Sequence, residues 1–101
     1  MVEMKKIMLA CSSGMSTSIL VTKMQEHAQS LGEEATIWAV GQDQALKEMD
    51  GADVVLIGPQ MRFLLSKFQQ ATDKPVEVID MMAYGMADGK AAYEQAVKLM
   101  G

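Results

Sequence analysis

Residues 7–18 of the chain are Ile7-Met8-Leu9-Ala10-Cys11-Ser12-Ser13-Gly14-Met15-Ser16-Thr17-Ser18. The stretch passes from four apolar residues through a cysteine into small and hydroxylated residues. After it, apolar residues recur every three or four positions as far as Leu31, and Gly32 follows. A short apolar run ended by turn residues is typical of a buried parallel strand, and the later spacing is typical of a helix. The stretch therefore predicts a strand, a tight loop, and a helix that begins near Ser16 and has Leu31 on its apolar face.

Three more apolar runs along the chain have the same character. They cover residues 35–40, 52–57 and 75–79, and a glycine closes each of the first two. A short helical pattern over residues 44–49 follows the first of them. Asp43 stands where an N-cap residue would, so we expect it to cap this helix.

Two longer helical patterns occupy the rest of the chain. One begins at Pro59, a position where the missing N–H of proline costs little. Its spacing predicts a buried stripe of Phe63, Leu64 and Phe68. The other pattern runs from about residue 88 to residue 100 and predicts the last helix.

This alternation of strands and helices predicts an α/β fold. We expect an open four-stranded parallel sheet of order 2-1-3-4 with helices on both faces. In such sheets, ligands bind beyond the carboxyl ends of the strands, where the strand order reverses. The predicted site therefore lies among three loops: residues 11–18, residues 58–61, and the segment from Asp80 onward.

Composition limits the classes of function. The 101 residues suit one domain over residues 1–101, and 50% of them are hydrophobic, enough for a normal core. The net charge of −4, without a run of basic residues, argues against nucleic acid as a partner. No apolar run approaches the roughly 18 residues of a membrane span, so we expect a cytoplasmic protein without direct membrane insertion. The single cysteine allows no internal disulfide and no zinc site of Cys and His, so neither a metal nor a cofactor is expected.

The Ser/Gly-rich loop has the composition of an anion-binding nest. A turn between a strand and a helix aims successive backbone N–H groups into one concavity, with the positive end of the helix dipole behind it. Gly14 would supply the positive φ that such a nest usually requires. The hydroxyls of Ser16, Thr17 and Ser18 could cap the helix or donate to the anion.

Cys11 stands at the rim of this predicted nest and has two interpretations. Cysteines are among the most buried residue types, so a lone cysteine at a strand end is by itself more typical of a core. The loop favours a reactive cysteine instead, because dipoles that bind an anion also stabilise a thiolate. A nucleophile and a phosphate cradle at one place are what phosphoryl transfer through cysteine needs.

Cysteine phosphatases use a similar loop, Cys-x5-Arg-[Ser/Thr]. Counting from Cys11, Thr17 holds the place of the arginine and Ser18 that of the hydroxyl residue. Without the bidentate cation, the loop should accept a phosphoryl group but transfer it slowly to water. This favours a carrier. A small cysteine-dependent phosphatase and a flavodoxin-like module that binds a phosphate or nucleotide remain the alternatives.

Three motifs together resemble the IIB proteins of the lactose/cellobiose/chitobiose family of the bacterial sugar phosphotransferase system. They are residues 7–18, then Val54-Val55-Leu56-Ile57-Gly58-Pro59-Gln60, then Pro75-Val76-Glu77-Val78-Ile79-Asp80 with Tyr84-Gly85. The resemblance covers nearly the whole chain. It implies a sheet similar to that of low-molecular-weight tyrosine phosphatases.

The resemblance also implies the reaction and its partners. Cys11 would take a phosphoryl group from a phosphohistidine of a IIA protein, with Ser12, Ser13, Gly14, Met15, Ser16, Thr17 and Ser18 as the cradle. The group would then pass to a sugar held by the membrane component IIC, commonly a β-linked disaccharide such as cellobiose, lactose or chitobiose. The sequence does not separate these sugars.

Residues of the other two predicted loops are candidate accessory groups. Gln60 could contact the phosphoryl group or the donor histidine, but it could equally belong to a helix start. Asp80 could take part in transfer, although a helix cap is the favoured interpretation. Tyr84 is either a rim residue or a partly buried ring. Five methionines fall in or after these loops, and we expect several to form a soft apolar rim for partner exchange: Met15, Met61, Met81, Met82 and Met86.

Overall fold

A computed structural model of the chain describes residues 5–11 and 14–100, except for the side chains of residues 14–17. Strands and α-helices follow one another along the chain, with 3₁₀ segments at Met49–Gly51 and Pro59–Leu64. In order they are β1 Lys5–Ala10, α1 Gly14–Ser30, β2 Ala35–Val40, α2 Gln42–Glu48, β3 Val54–Ile57, α3 Leu65–Ala71, β4 Val76–Val78, α4 Met81–Gly85 and α5 Gly89–Met100.

The four strands form one parallel sheet of order β2-β1-β3-β4. Ile7 of β1 pairs with Ile37 on one side and with Val54 on the other, so β1 lies between β2 and β3. The strand order therefore reverses beside β1. The predicted fold class and strand order are confirmed.

Alternate residues of the strands belong to two separate hydrophobic cores, because successive side chains of a strand point to opposite faces of the sheet. Ile7 and Leu9 pack with residues of α1 and α5, including Met24 and Tyr93. Met8 and Ala10 pack on the other face with residues of the 3₁₀ segments and α3, among them Met49, Met61 and Phe68. Helices thus cover both faces, which is why all four strands could be recognised as nearly continuous apolar runs.

Three side chains differ from their predicted positions. Leu31 is 53% exposed and Phe63 is 76% exposed, so neither belongs to a buried stripe. Leu31 lies beyond the end of α1, and Phe63 lies in a 3₁₀ segment with a kink at Met61, so α-helical spacing does not apply to it. Asp43 lies inside the first turn of α2, whose N-cap is Gly41 without a side-chain bond; its predicted cap is wrong.

Element bounds also differ in ways that affect the site. The helix expected near Ser16 begins at Gly14, immediately after the loop that carries Cys11. The segment after Asp80, predicted as a loop, contains the five-residue α4. In the described part of the chain, no helix is long and apolar enough to cross a membrane.

Two helices end in the same hydrogen-bonded motif with different residues at its left-handed position. After α1 that residue is Gly32, at φ 72°, and Glu33 N–H donates to Ala28 O at 3.0 Å. After α4 it is Ala87, at φ 52°, and Asp88 N–H donates to Ala83 O at 2.8 Å. Both are Schellman ends. A Cβ atom makes the left-handed region unfavourable, so α4 ends on a strained alanine.

This pair predicts two opposite changes in stability. Ala87→Gly should raise the free energy of unfolding by about 0.5–1 kcal/mol, since relief of the left-handed strain exceeds the added chain entropy. Gly32→Ala should lower it by about 1 kcal/mol, purely through the backbone, because a Cβ there meets no atom within 4 Å. Urea unfolding of both variants measures the two signs. Changes of the same sign would contradict the account.

Candidate functional site

Cys11 follows directly after β1 at the carboxyl edge of the sheet. Its N–H donates to Val40 O at the end of β2, at 3.0 Å, and Gly58 N–H donates to Ala10 O from the end of β3, at 2.9 Å. The cysteine is therefore held between two neighbouring strand ends, where the strand order reverses. Its exposed fraction is 5%. The thiol is thus placed at the position where open α/β sheets bind ligands.

The first turn of α1 begins three residues after Cys11. Residues 14–17 form this turn, and the N–H groups of a first helical turn have no partner within the helix, so they are available to an anion. Gly14 is the first residue of α1, and the positive φ expected for it stays a prediction. Ser18 is exposed, and its carbonyl accepts from Thr22 Oγ1 at 3.1 Å. Ser12 and Ser13 lie outside the described residues, and the complete nest stays a prediction.

Gly58 provides a bare backbone surface against the thiol. A Cβ atom at this position would lie 3.0 Å from Sγ of Cys11 and 2.8 Å from Oε1 of Gln60. The thiol and the Gln60 amide oxygen therefore both approach the same point above Gly58. A side chain at residue 58 would occupy the space between the nucleophile and this amide, so the close approach depends on glycine.

Gln60 also connects the second and third predicted loops. Its Nε2 donates to Oη of Tyr84 on α4 at 3.0 Å, while its Oε1 faces Gly58. The structure thus brings Gln60 and Tyr84 together beside Cys11. Asp80 differs from them, because its Oδ2 accepts from Ala83 N–H at 3.3 Å and caps α4. The favoured interpretation of Asp80 as a helix cap is confirmed.

The predicted methionine rim is partly wrong. Met61 is 3% exposed and belongs to the core, and the side chain of Met15 lies outside the described residues. Large apolar side chains are nevertheless exposed on α4 and on the 3₁₀ segment after Gly58. We define them as the apolar rim: Phe63, Met81, Met82 and Met86, with exposed fractions between 67% and 76%.

The chemistry available at this edge is that of a thiol beside main-chain amide donors and uncharged polar side chains. The amides of the α1 first turn, the Gln60 carboxamide and the Tyr84 hydroxyl are uncharged, and the described ranges contain no cluster of three or more His, Cys, Asp or Glu residues that could hold a metal. A thiolate with such neighbours can attack phosphorus, and the amides can bind the oxygens of the transferred group.

The family model for "PTS system, Lactose/Cellobiose specific IIB subunit" matches residues 6–95 of the chain. The chain belongs to this family of phosphotransferase-system proteins. Its members are phosphotransferases, and the resemblance inferred from the three motifs is confirmed. The matched range contains Cys11, Gln60 and Tyr84.

Curated relatives agree with this assignment. The chain is 72% identical over 100 residues to the oligo-beta-mannoside-specific EIIB component of Bacillus subtilis (strain 168), covering 96% of this chain and 97% of the relative. It is 38% identical over 104 residues to two Lactococcus lactis proteins, named galactose-specific and cellobiose-specific EIIB components, covering 95% of this chain and 96% of each.

Solved structures share the fold. The solution structure of a cellobiose-specific IIB component from Borrelia burgdorferi superposes with a TM-score of 0.81 at 33% identity, covering 97% of this chain and 93% of that one. The lactose-specific IIB domain from Streptococcus pneumoniae superposes with a TM-score of 0.84 at 13% identity, covering 95% and 97%. The second structure therefore shares the fold with this chain despite its low sequence identity.

Two features of the site have no clear signal in the sequence. The contact of the thiol with Gly58 follows from the pairing of β1 with β3, and Gly58 could be recognised only as a strand end. The bond between Gln60 and Tyr84 joins residues 24 positions apart. Their presence in two predicted site loops indicated proximity, but not this bond.

Proposed function

We propose that this protein carries a phosphoryl group on Cys11 between a phosphohistidine of a IIA protein and a sugar bound by the membrane component IIC. In the first step, Sγ attacks phosphorus, the P–S bond forms and the P–N bond breaks, and the imidazole nitrogen takes up that electron pair together with the proton that the thiol gives up. In the second step, a sugar hydroxyl attacks phosphorus, the P–O bond forms and the P–S bond breaks, and Sγ leaves with that electron pair and takes up the proton that the hydroxyl loses. The observation that carries the proposal is the position of the thiol at the sheet edge beside Gly58 and the α1 first turn.

Residues 12–18 are the proposed phosphate cradle in both steps. Main-chain amides and serine and threonine hydroxyls would share the three phosphoryl oxygens, as neutral donors suited to a group that must leave again. Gln60 and Tyr84 come from later segments of the chain and form a second set of polar groups near the thiol. Their bond of 3.0 Å keeps the Gln60 oxygen directed toward Gly58.

The proposed sugar is a β-linked oligosaccharide, and an oligo-β-mannoside is the first to test. The relative with that specificity is 72% identical, whereas the galactose-specific and cellobiose-specific relatives are 38% identical. This refines the expectation of cellobiose, lactose or chitobiose. With membrane vesicles that contain the matching IIC, the phosphorylated protein should form mannobiose phosphate faster than cellobiose phosphate. The reverse order would reject this sugar class.

We propose that the protein acts in the cytoplasm, at the inner face of the membrane where IIC presents the sugar. Residues 1–101 are proposed to form one domain. IIA and IIC must each bring a reacting group to Cys11, so each must cover the edge that surrounds it. The apolar rim lies on the segments that carry Gln60 and Tyr84. Flexible methionines suit a surface that has to fit two unlike partners in turn.

The apolar rim leads to a prediction for Met82→Asp. A charge at this position, which is 70% exposed, should slow phosphoryl transfer from IIA about tenfold or more by disfavouring apolar contact, without unfolding the domain. The control is Leu31→Asp, since Leu31 is also an exposed apolar residue (53%) and lies beyond the far end of α1. Stopped-flow or quench-flow transfer kinetics compare the two. Equal transfer rates for both variants and the wild type would mean that the apolar rim is not part of the docking surface for IIA.

The proposal is tested by intact-protein mass spectrometry. The wild-type protein is incubated with phosphoenolpyruvate, the general phosphotransferase proteins and a IIA protein of the same phosphotransferase family, and we expect the gain of one phosphoryl group. Peptide mapping should locate the group on residue 11, and added IIC with sugar should remove it. A protein that gains no mass while IIA is shown to be phosphorylated would contradict the proposal.

A further inference from the structure

Helix α4 is too short to hold its own position. It contains five residues, and isolated helices below about 12 residues are marginal in water, so contacts outside the helix must fix it. This matters because α4 supplies Tyr84, whose hydroxyl accepts the bond from Gln60. The groups that anchor the N-cap residue of α4 therefore determine where this hydroxyl lies.

Gln95 of α5 provides such an anchor through both ends of its side-chain amide. Its Nε2 donates to Val78 O at 2.9 Å and to Glu77 Oε1 at 3.2 Å. Its Oε1 accepts from Asp80 N–H at 3.0 Å. One carboxamide thus spans the end of β4, bonded to the carbonyl before Ile79 and to the N–H after it.

From Asp80 the contacts continue to the thiol. The Asp80 carboxylate accepts from Ala83 N–H, and the Asp80 carbonyl accepts from Tyr84 N–H at 2.9 Å. Tyr84 Oη in turn accepts from Gln60, whose Oε1 lies over Gly58, as does Cys11 Sγ. The links from Gln95 to Gln60 are hydrogen bonds between described residues, and the last step is the shared approach of Gln60 and Cys11 to Gly58.

We propose that Gln95 is a positioning residue for phosphoryl transfer at Cys11. It fixes the start of α4, and α4 fixes Tyr84, which orients the Gln60 amide beside the thiol. Gln95 touches none of the reacting atoms. The inference rests on the proposed phosphocysteine function for its kinetic part, whereas its structural part concerns the folded protein alone.

A glutamine suits this position because its side-chain amide carries a donor, Nε2, and an acceptor, Oε1, side by side. Glutamate would keep the acceptor for Asp80 N–H, lose both donated bonds and face the carboxylate of Glu77. Methionine has similar length and shape but makes none of these bonds. Gln95→Met and Gln95→Glu therefore remove all or part of the anchor with little change in volume.

The control comes from the other face of the same strand. Gln69 of α3 donates its Nε2 to Val76 O at 3.1 Å, so it also ties a helix to a β4 carbonyl. This bond joins α3 to β4 and involves neither Asp80 nor α4, and Gln69→Met removes a bond of the same type as those of Gln95. Any general loss from weakening β4 should appear in Gln69→Met as well as in Gln95→Met.

The experiment measures the rate of transfer from phosphorylated IIA at increasing IIA concentration. The acceptors are the wild type, Gln95→Met, Gln95→Glu, Gln69→Met, Tyr84→Phe and the double variant Gln95→Met/Tyr84→Phe. We expect both Gln95 variants to lower the maximal rate about tenfold with an apparent KM for IIA within about twofold of the wild type, and Gln69→Met to match the wild type. The double variant Gln95→Met/Tyr84→Phe should be no slower than the slower single variant, because both changes disturb one chain of contacts.

A second readout does not depend on phosphoryl transfer. In ¹H–¹⁵N spectra of the unphosphorylated protein, Gln95→Met should shift the Gln60 side-chain amide and the Tyr84 backbone amide, and Gln69→Met should leave both in place. Unshifted signals with wild-type rates in both Gln95 variants would overturn the positioning role, as would equal losses in Gln95→Met and Gln69→Met. If instead the wild type accepts no phosphoryl group while these signals shift, the carrier function fails and the structural link stands.

Discussion

The Cys11→Ala variant is expected to gain no phosphoryl group under conditions in which the wild type gains one. Cys11 is the only cysteine of the chain, and alanine has no atom that can form a bond to phosphorus. The neighbouring hydroxyls should not replace it, because an alcohol without an activating base is a weak nucleophile. Transfer should therefore fall below detection. Intact-protein mass spectrometry of both proteins, side by side with the same phosphorylated IIA, measures the difference.

The folded state should survive this change. Residue 11 is buried, and the loss of one buried atom costs about 1 kcal/mol, comparable to the loss of a methyl group from a core. The hydrogen bond from its N–H to Val40 O is a main-chain bond, so alanine keeps it. The control is an unfolding curve of the variant that stays cooperative and is lowered by no more than about this amount. A phosphoryl group that still appears on the variant would place the acceptor elsewhere and contradict the assignment of Cys11.

The same pair of proteins separates a carrier from a phosphatase. The position that aligns with the phosphatase arginine is Thr17, so the charge that builds on the equatorial oxygens has no bidentate cation to hold it. We therefore expect no steady release of phosphate from an aryl phosphate by the wild type. Sustained release that depends on Cys11 would favour the phosphatase alternative.

The parts of the fold that could be predicted are those determined by local pattern. Each strand of a parallel sheet is covered on both faces, so Ile7, Met8 and Leu9 all had to be apolar, and the run was visible without knowledge of the partners. Gly32 ends α1 as expected, because its left-handed φ of 72° favours glycine. The position of Cys11 followed from topology, since a residue after β1 must lie at the reversal of strand order.

The parts that could not be predicted depend on contacts between distant segments. Helix α4 has too few residues for a periodic pattern, and it is held by Gln95 from another helix. Phe63 was predicted to be buried from helical spacing, but the backbone departs from helical geometry at Met61, and in this 3₁₀ segment Met61 is buried and Phe63 is exposed. The methionine rim was predicted from position in the loops alone, which does not distinguish Met61 from Met82.

Gly89→Ala is the substitution expected to destabilise the domain most among the glycine changes considered. Gly89 is the first residue of α5 and is buried against α1. A Cβ atom there would lie 2.5 Å from Cβ of Lys23 and 2.5 Å from the backbone N of Met24, and it would also overlap the Lys23 carbonyl carbon. Carbon atoms normally approach one another to about 3.5–4.0 Å, so α1 and α5 must move apart.

The cost is large because backbone atoms cannot rotate away as a side-chain end can. Overpacking of a tight interface typically costs about 1–3 kcal/mol, and the overlap with the Lys23 and Met24 backbone places Gly89→Ala at the upper end. The interface includes Met24 and Tyr93, both fully or almost fully buried, so separation of the helices also loosens their packing. Urea unfolding monitored by circular dichroism should show a lower midpoint with a similar slope.

Gly85→Ala is the matched control, since Gly85 is also helical but a Cβ atom there meets no atom within 4 Å. Alanine is the better helix former by about 1 kcal/mol, so the control should be neutral or slightly stabilising. An equal loss in both variants would mean that glycine matters only through the backbone, and the close approach of α1 and α5 would not be the cause. A loss of stability confined to Gly89→Ala would instead show that the fold requires the close spacing of α1 and α5. Because α1 begins three residues after Cys11, that spacing also determines where its first-turn amides lie relative to the thiol.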